Sequence, residues 1–356
     1  MSVISVGLPQ GVYLKEEVAG VPNPRFQLYN EESLGKLASQ QRKHAWDLEK
    51  GSTWGRGIDF TKPLVALDRD ALLFPGASRE QRLAISQMMG LVIAAAIFEM
   101  EECLIRMRRE AWESLRDRMP VGPEFSDLGE LFFQEELKHS TAFKRYTEMY
   151  AHGLGLELKE LLAVLPALEN TRTEKLLRVD SKIHGHTFWW IVANVEQEFL
   201  RIYHSLRPFK DQLDPLYFEI HQRHFEEEAR HAPFPYLVLE LMADRNSQPF
   251  RFLHRRTDMA AAQVLQALWT LSSLRRLKGI KKLKGVHPFF DTLISAFPIL
   301  ESMPAPQVVW KLLTTTPYVS SLFNLNSQGK IIEEAQALGA VVLPFPDHDP
   351  KPLVKY

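Results

Sequence analysis

The sequence predicts an all-α protein, and three observations support that fold class. Long stretches between prolines and glycines repeat apolar residues at helical spacing. No convincing run of alternating polar and apolar residues marks a strand. Helix-start residues precede the longest stretches, as Ser78 and Ser126 do. With 356 residues, 45% of them hydrophobic, the chain can bury a large core, and we treat residues 1–356 as a single domain.

The helical pattern begins after an irregular segment, residues 1–30, and is interrupted by loops rich in glycine and proline. We expect a first helix from about Asn30 to Ala45 and a loop-rich stretch from Trp46 to Ala77. The later predicted helices are Arg79 to about Arg118, Ser126 to about His152, Glu157 to Ala167, Glu174 to about Leu206, Pro215 to Asp244 with a bend near Pro233 and Pro235, Thr257 to Lys278, and His287 to Ser302. Residues 79–244 would form a four-helix core, and residues 245–356 would add accessory helices, shorter pieces to Ala337 and a proline-rich C-terminal arm.

Charge and cysteine content exclude several classes of function. The formal net charge is −1, which gives no global reason to expect a nucleic-acid or membrane partner. The single cysteine, Cys103, excludes an intrachain disulfide and a cysteine-based zinc or iron–sulfur site. The N-terminal residues lack a signal-peptide pattern, and the longest apolar stretch, Met88 to Phe98, is too short to span a membrane. We therefore expect a soluble, cytoplasmic protein without a membrane span.

Two of the long predicted helices carry the same short motif, Glu-Glu-x-x-His. One copy contains Glu136 and His139, and the other contains Glu228 and His231. Residues three apart lie on one face of a helix, so each pair can reach a single point. A carboxylate can bridge two cations while an imidazole binds one, and such donors suit iron or manganese. One copy is a weak signal, but two copies on two long helices indicate a metal site.

Each copy follows a long predicted helix with a glutamate on its apolar side. These are Glu101 and Glu196, although Glu99 and Glu102 compete with the first and Glu198 competes with the second. Their neighbours one turn away are Ile97, Phe98, Leu104 and Ile105 for Glu101, and Val192, Ala193, Phe199 and Leu200 for Glu196. A carboxylate in such surroundings is costly unless something compensates its charge. The ligand set of a di-iron four-helix bundle consists of one Glu from each of two helices and Glu-x-x-His from each of the other two. The competing interpretation is a solvated acidic face with incidental histidines.

A third histidine lies on the same stripe of the second motif helix. His224 precedes Glu228 by one turn and His231 by two turns, so it can supply another imidazole to one metal. A supporting or surface role is the alternative, because the same helix also carries His221. The sequence alone leaves both open.

With these residues identified, the sequence resembles the di-iron arylamine N-oxygenases, the family of p-aminobenzoate N-oxygenase within the wider ferritin-like superfamily. That family has a duplicated Glu…(Asp/Glu)-Glu-x-x-His pattern and an extra histidine one turn before the second copy. The matching residues are Glu101, Glu136, His139, Glu196, His224, Glu228 and His231. The resemblance covers residues 80–245. It implies a ferritin-like four-helix bundle that holds two iron ions through these seven side chains, with an iron–manganese or manganese pair as alternatives.

The resemblance also implies a function: activation of O₂ and N-oxygenation of an arylamine, with electrons from an external donor. The substrate would be a small molecule or a carrier-bound group, and a homodimer is one possibility. The alternatives are a di-iron hydroxylase or desaturase of an aliphatic or acyl substrate and, in another class, a non-catalytic iron-binding or ferroxidase protein. The segment from Leu274 to Gly285 has six basic residues and no acidic one; it is either a solvated surface or a dock for an acidic carrier or redox protein.

Overall fold

The computed structural model describes residues 31–50, 54–67, 76–119, 121–245, 251–301 and 341, and every regular element in those ranges is helical. The predicted all-α class is therefore confirmed. The helices are α1 Glu31–Lys43, α2 Arg79–Arg108, α3 Ser114–Arg118, α4 Pro123–Gly153, α5 Leu158–Leu162, α6 Arg172–Lys182, α7 Thr187–Leu206, α8 Pro215–His231, α9 Pro233–Arg245, α10 Arg251–Arg276, α11 Pro288–Ser295 and α12 Phe297–Glu301. The irregular N-terminal segment, the pieces predicted up to Ala337 and the proline-rich arm lie outside the described residues.

Helix α2 is long and mostly buried. Ser78 begins it with a capping box, in which its hydroxyl accepts from the Gln81 backbone N–H and its own N–H donates to the Gln81 side chain. A π-helical turn, Arg109–Glu113, joins it to α3. By length and composition Arg79–Arg118 could cross a membrane, but 83% of its most apolar window is buried inside the fold. Such burial is what the central helix of a folded domain requires.

The long helices pack in two pairs. Helix α2 lies along α4 and helix α7 lies along α8, while α4 also contacts α8. Helix α1 covers α4 and α8, α10 packs on α7, and α11 packs on α2. The apolar faces of these helices form one continuous core. This packing brings α2, α4, α7 and α8, which carry the candidate ligands, around a shared interior.

The prediction of one continuous helix from Glu174 to Leu206 is wrong, because the chain forms two helices, α6 and α7, separated by a turn at residues 183–186. His184 has a left-handed backbone, with φ 65°. The Asp180 carboxylate accepts from the Thr187 backbone N–H at 3.1 Å and from its hydroxyl at 3.0 Å, which starts a new helix. A Cβ atom at Gly185 would lie 2.0 Å from Asp180 Oδ1, so this close approach requires glycine.

Two other predictions differ from the structure: α10 begins at Arg251, six residues before the predicted Thr257, and the single helix predicted from His287 to Ser302 is divided into α11 and α12. The predicted bend near Pro233 is confirmed, since α8 ends at His231 and α9 begins at Pro233. Helix α4 begins at Pro123, earlier than predicted, because proline is well suited to the first turn of a helix. Helix α5 ends at Leu162 and is shorter than expected.

Candidate metal centre

Four helices each place one buried carboxylate at the centre of the fold. Glu101 lies on α2, Glu136 on α4, Glu196 on α7 and Glu228 on α8, and all four are 0% exposed. The one-turn neighbours of Glu101 and Glu196 are apolar, so the same helical faces that build the core also carry these charges inward. Four carboxylates buried together need compensating positive charge.

The competing glutamates have other partners. Glu99 accepts the backbone N–H of Leu168 at 2.8 Å. Glu102 is partly exposed and lies 3.9 Å from Lys144. Glu198 lies 3.3 Å from an arginine one turn further along α7. The structure therefore brings Glu101 and Glu196, and not their competitors, to the shared interior.

Two of the three predicted histidines pair with the opposite motif helix. His139 of α4 has Nδ1 3.0 Å from Glu228 Oε1, and His231 of α8 has Nδ1 3.0 Å from Glu136 Oε1. His224 Nε2 lies 2.9 Å from Glu101 Oε1 and 2.7 Å from Glu228 Oε1. All three imidazoles thus turn a ring nitrogen toward the buried carboxylates.

The donors form two overlapping groups that could each hold a metal ion. One group comprises Glu101, His139, His224 and Glu228, and the other comprises Glu136, His139, Glu228 and His231. Within each group the potential ligand atoms lie within 4.8 Å of one another, and every member is buried. Glu228 and His139 belong to both groups; a carboxylate has two oxygens and can lie between two cations, whereas an imidazole binds one. Glu196, in neither group, interacts electrostatically with Glu228 and Glu136.

Sequence reasoning gave no role to the first glutamate of each Glu-Glu doublet. Glu227 Oε2 lies 2.8 Å from His139 Nε2, and Glu135 Oε2 lies 2.5 Å from His231 Nε2. Each doublet therefore reaches across to the histidine of the other motif helix. Adjacent residues point about 100° apart around a helix, so only one member of a doublet can face the centre. The outer member orients the imidazole and fixes which nitrogen faces inward.

Many polar atoms at this centre lack a hydrogen bond. They are Glu101 Oε2, Glu136 Oε2, both oxygens of Glu196, both oxygens of Glu228, and His139 Nδ1. Buried polar atoms in native proteins are nearly always hydrogen-bonded, and orphaned ones have a specific explanation. Carboxylate oxygens and imidazole nitrogens are also the donors that iron and manganese accept. The residues present fit a metal centre.

Crowding shifts the pKa values of the carboxylates. Burial, reinforced by the charges of Glu136 and Glu228, raises the pKa of Glu101 well above its ordinary value. Burial and the neighbouring Glu228 also raise the pKa values of Glu136 and Glu196. For Glu228, the effect of burial is outweighed by its close contacts with His224, Glu196 and His139, and its pKa is lowered. Protons thus supply part of the compensation that a cation would otherwise provide.

The histidines respond to the same environment. Although burial opposes protonation, contacts with Glu227 and Glu228 raise the pKa of His139 to about 9. For His231 burial is likewise outweighed by the contacts with Glu135 and Glu136, so its pKa rises. Burial lowers the pKa of His224 to about 4. A neutral imidazole is the form that binds a metal, and His224 is therefore ready to bind without losing a proton.

Aromatic rings close the centre against water. The ring of Phe132 lies 5.2 Å from that of His231, and the ring of Phe199 lies 5.0 Å from that of His224, measured between centroids. Phe132 and Phe199 are 0% and 4% exposed. A surface depression lined by residues such as Arg56, Lys210, Phe218 and Arg223 contains none of the candidate ligands, and we assign it no role at the centre.

No protein-family model, curated protein or solved structure matches the chain.

Proposed function

We propose that the chain is a carboxylate-bridged di-iron oxygenase that N-oxygenates an arylamine. The observation that carries this proposal is the set of buried oxygen and nitrogen atoms without hydrogen bonds, gathered from four helices around one point. Three imidazoles turned toward the same carboxylates complete the donor set. Burying such a set of polar atoms costs free energy of folding unless cations bind there.

Charge and geometry favour two metal ions. Four carboxylates neutralise two divalent cations, and the two overlapping donor groups share Glu228 and His139. Glu101 and His224 would belong to one ion, Glu136 and His231 to the other, with Glu228 between them. His139 contacts Glu228 and so lies beside the same bridge. We propose iron rather than manganese because the proposed reaction, N-oxygenation of an arylamine, consumes O₂.

The packing of the helices supports a ferritin-like four-helix bundle. The pairs α2 with α4 and α7 with α8, joined through the contact of α4 with α8, supply a carboxylate from every helix and Glu-x-x-His from two of them. Residues 79–244 would then be the bundle core within one domain, and the helices of residues 251–301 would be accessory.

The residues of the chain would each serve the chemistry in a definable way. Two bound iron ions supply the reductive activation of O₂ and the transfer of one oxygen atom. Glu227 and Glu135 hold the outer nitrogens of His139 and His231, which keeps the inner nitrogens aimed at the centre. Phe132 and Phe199 exclude water, which prevents side reactions of the oxidised centre.

His224 directs the proposal toward an amine. Its ring contacts two of the buried carboxylates and gives the centre three imidazoles, where a minimal di-iron site has two. The extra neutral donor is the residue that relates this chain to the arylamine N-oxygenases. The wild-type protein is therefore expected to oxidise the nitrogen of an aromatic amine.

The test begins with iron content. The purified chain is loaded anaerobically with Fe(II), the bound metal is quantified, and the loaded protein is mixed rapidly with O₂ with and without p-aminobenzoate. We expect two irons per chain, an absorbance change on O₂ addition that decays faster with the arylamine, and a hydroxylamine, nitroso or nitro product.

The outcomes separate the alternatives. Fewer than two iron or manganese ions per chain would overturn the metal centre itself. Two irons and O₂ consumption with unchanged arylamine, but with oxidation of an aliphatic or acyl substrate, would make the chain a hydroxylase or desaturase. Iron oxidation followed by retention of ferric mineral, without any organic product, would make it a ferroxidase.

A further inference from the structure

A row of buried aromatic side chains connects the candidate metal centre with the protein surface. We name Phe143, His221, Tyr217, Tyr146 and Tyr150 the aromatic column. The ring centroids are separated by 5.0 Å for His224–Phe143, 5.0 Å for Phe143–His221, 4.4 Å for His221–Tyr217, 5.5 Å for Tyr217–Tyr146, 6.2 Å for Tyr146–Tyr150 and 4.8 Å for Tyr150–Phe60. Phe60, at the outer end, is 37% exposed.

Two polar atoms of the column have no hydrogen bond that explains their burial. Tyr146, Tyr150 and Tyr217 are at most 1% exposed. The Tyr150 hydroxyl and His221 Nε2 are buried without a hydrogen-bond partner. A buried polar group without a partner costs stability, and phenylalanine would fill the space of Tyr150 at lower cost. Tyr146 lies between the other two phenols, 5.5 Å from Tyr217 and 6.2 Å from Tyr150. A row of phenols has a property that phenylalanine lacks, the ability to give up an electron.

Asp214 lies near all three phenols, and Tyr146 is the one whose hydroxyl donates to its carboxylate. Tyr146 donates to Asp214 Oδ1 at 3.4 Å, whereas Tyr217 donates to the backbone carbonyl of Gly90 at 3.2 Å. A phenol that loses an electron becomes strongly acidic, so its oxidation needs a group that accepts the proton. A carboxylate can accept it and a carbonyl cannot. Burial also raises the pKa of Asp214, which favours proton uptake.

Tyr146 is close enough to the centre for electron transfer. It follows His139 by seven residues on α4, about 10 Å along the axis at 1.5 Å per residue. Electrons cross such distances in proteins readily, and the rings of Tyr217, His221 and Phe143 fill the intervening space. The phenol stays protonated until then, because burial holds the pKa of Tyr146 well above its ordinary value.

We propose that Tyr146 gives one electron to the O₂-oxidised metal centre when no substrate is bound, and that the aromatic column carries the charge toward the surface. This inference rests on the proposed function, because only a centre oxidised by O₂ is a strong enough oxidant for a phenol. The Tyr146 O–H bond breaks, its electron reduces the centre by one equivalent, and its proton passes to Asp214. A one-electron reductant of the thiol or ascorbate class acting at the Phe60 end then restores the phenol, and the proton returns from Asp214.

The experiment uses the full chain loaded with iron, mixed with O₂ without substrate and frozen for electron paramagnetic resonance. Wild type is expected to form an organic radical whose spectrum narrows when the tyrosines are ring-deuterated. Tyr146→Phe should lower the radical yield at least tenfold, and Asp214→Asn should lower it while leaving the Tyr146 ring in place. The control is Tyr203→Phe, a buried tyrosine outside the column, which should leave the yield unchanged.

Iron content and O₂ consumption are measured on the same samples. If wild type binds two irons and consumes O₂ but forms no tyrosine radical, or if Tyr146→Phe forms it in full yield, the inference fails while the proposed function stands. If the chain binds no iron or consumes no O₂, both fail together. A normal iron content in each variant excludes misfolding as the cause of a lost radical.

Discussion

Glu227 on α8 holds His139 on α4, with Glu227 Oε2 2.8 Å from His139 Nε2. The other oxygen of Glu227 accepts from Lys138 at 2.6 Å and from the Trp46 backbone N–H. Because the outer nitrogen of His139 is engaged in this way, Nδ1 is the nitrogen that faces Glu228. The carboxylate therefore determines both the tautomer and the orientation of a candidate ligand without reaching the centre itself.

The first prediction concerns this pair. Glu227→Gln should lower the affinity for iron by about 10–100-fold, since an amide cannot accept from His139, Lys138 and Trp46 together. Competition with a calibrated chelator measures the change. The control is Glu226→Gln, which alters an exposed neighbour on the same helix and should leave the affinity unchanged. Equal affinities for wild type and Glu227→Gln would contradict a role for Glu227 in orienting the ligand.

The second prediction concerns the third imidazole. His224→Leu should weaken the binding of one of the two irons at least tenfold, because the ring contacts both Glu101 and Glu228. His221→Leu is the matched control, since it removes an equally buried histidine one turn away on the same helix and should retain two irons. Iron quantification and amine-oxidation assays are made on both. A His224→Leu protein with two tightly bound irons and unchanged product would contradict the proposed relation of this chain to the N-oxygenases.

The third prediction uses stability with and without metal. Glu196 is fully buried, and both of its oxygens lack hydrogen bonds. Glu196→Met should therefore stabilise the metal-free chain by roughly 1–4 kcal/mol, because it removes an uncompensated polar group from the core. The same change should reduce the stabilisation that iron provides.

Thermal unfolding of chelated and iron-loaded samples tests whether Glu196→Met stabilises the metal-free chain and reduces the stabilisation by iron. Glu198→Met is the control, because Glu198 lies beside Arg201 rather than at the centre, and it should retain the full shift in Tm on iron loading. If Glu196→Met destabilised the metal-free chain and retained the iron-dependent shift, Glu196 would be structural.

The ligand-bearing faces could be predicted because local helix geometry determines them. Glu101 and Glu196 stand among apolar neighbours at one-turn spacing, and that pattern favoured them over Glu99, Glu102 and Glu198, which stayed open as alternatives. The duplicated Glu-Glu-x-x-His motif similarly placed His139 and His231 on inward faces. These features depend on residues within a few positions of one another.

Features that depend on distant residues were missed. The break between α6 and α7 arises from Asp180, whose carboxylate accepts from Thr187 across the turn, and a continuous helical pattern concealed it. The roles of Glu135 and Glu227 depend on histidines of another helix, close to one hundred positions away. A signal was present in both cases: Gly185 inside the helical pattern, and a second glutamate in each motif copy.

The fourth prediction concerns the basic surface, defined as Arg275, Lys278, Lys281, Lys282 and Lys284, all of which are exposed. An acidic electron-donor protein would be attracted there. Reversing Arg275, Lys281 and Lys282 to glutamate should slow reduction of the iron centre by such a donor at least tenfold at low salt. Reduction by a small neutral dye should be unchanged.

The matched control is a triple variant in which Lys36, Lys43 and Lys50 are replaced by glutamate. These three lysines are exposed on and after α1. Because the effect is electrostatic, the difference between the two triple variants should shrink as salt is added. Equal rates for both variants at low salt would remove the docking role of the basic surface.

The last prediction concerns pH and Asp180. Burial, with the nearby carboxylate of Asp258, raises the pKa of Asp180 from 3.8 to about 6. The native chain therefore binds this proton more tightly than the unfolded chain, so the stabilising contribution is complete below pH 3.8 and is lost as pH rises through about 6. The loss is at most about 3 kcal/mol, at 1.36 kcal/mol per pKa unit.

Asp180→Asn keeps an oxygen that can accept from Thr187 but cannot titrate. The free energy of unfolding of wild type minus that of Asp180→Asn should therefore decrease between pH 4 and pH 7, with its midpoint near the raised pKa. Urea denaturation of the metal-free proteins at a series of pH values measures this difference, and removing the metal keeps the ligand carboxylates in the same state in both proteins. A difference that stayed constant, or grew with pH, would contradict a half-buried Asp180 that resists ionisation beside Asp258.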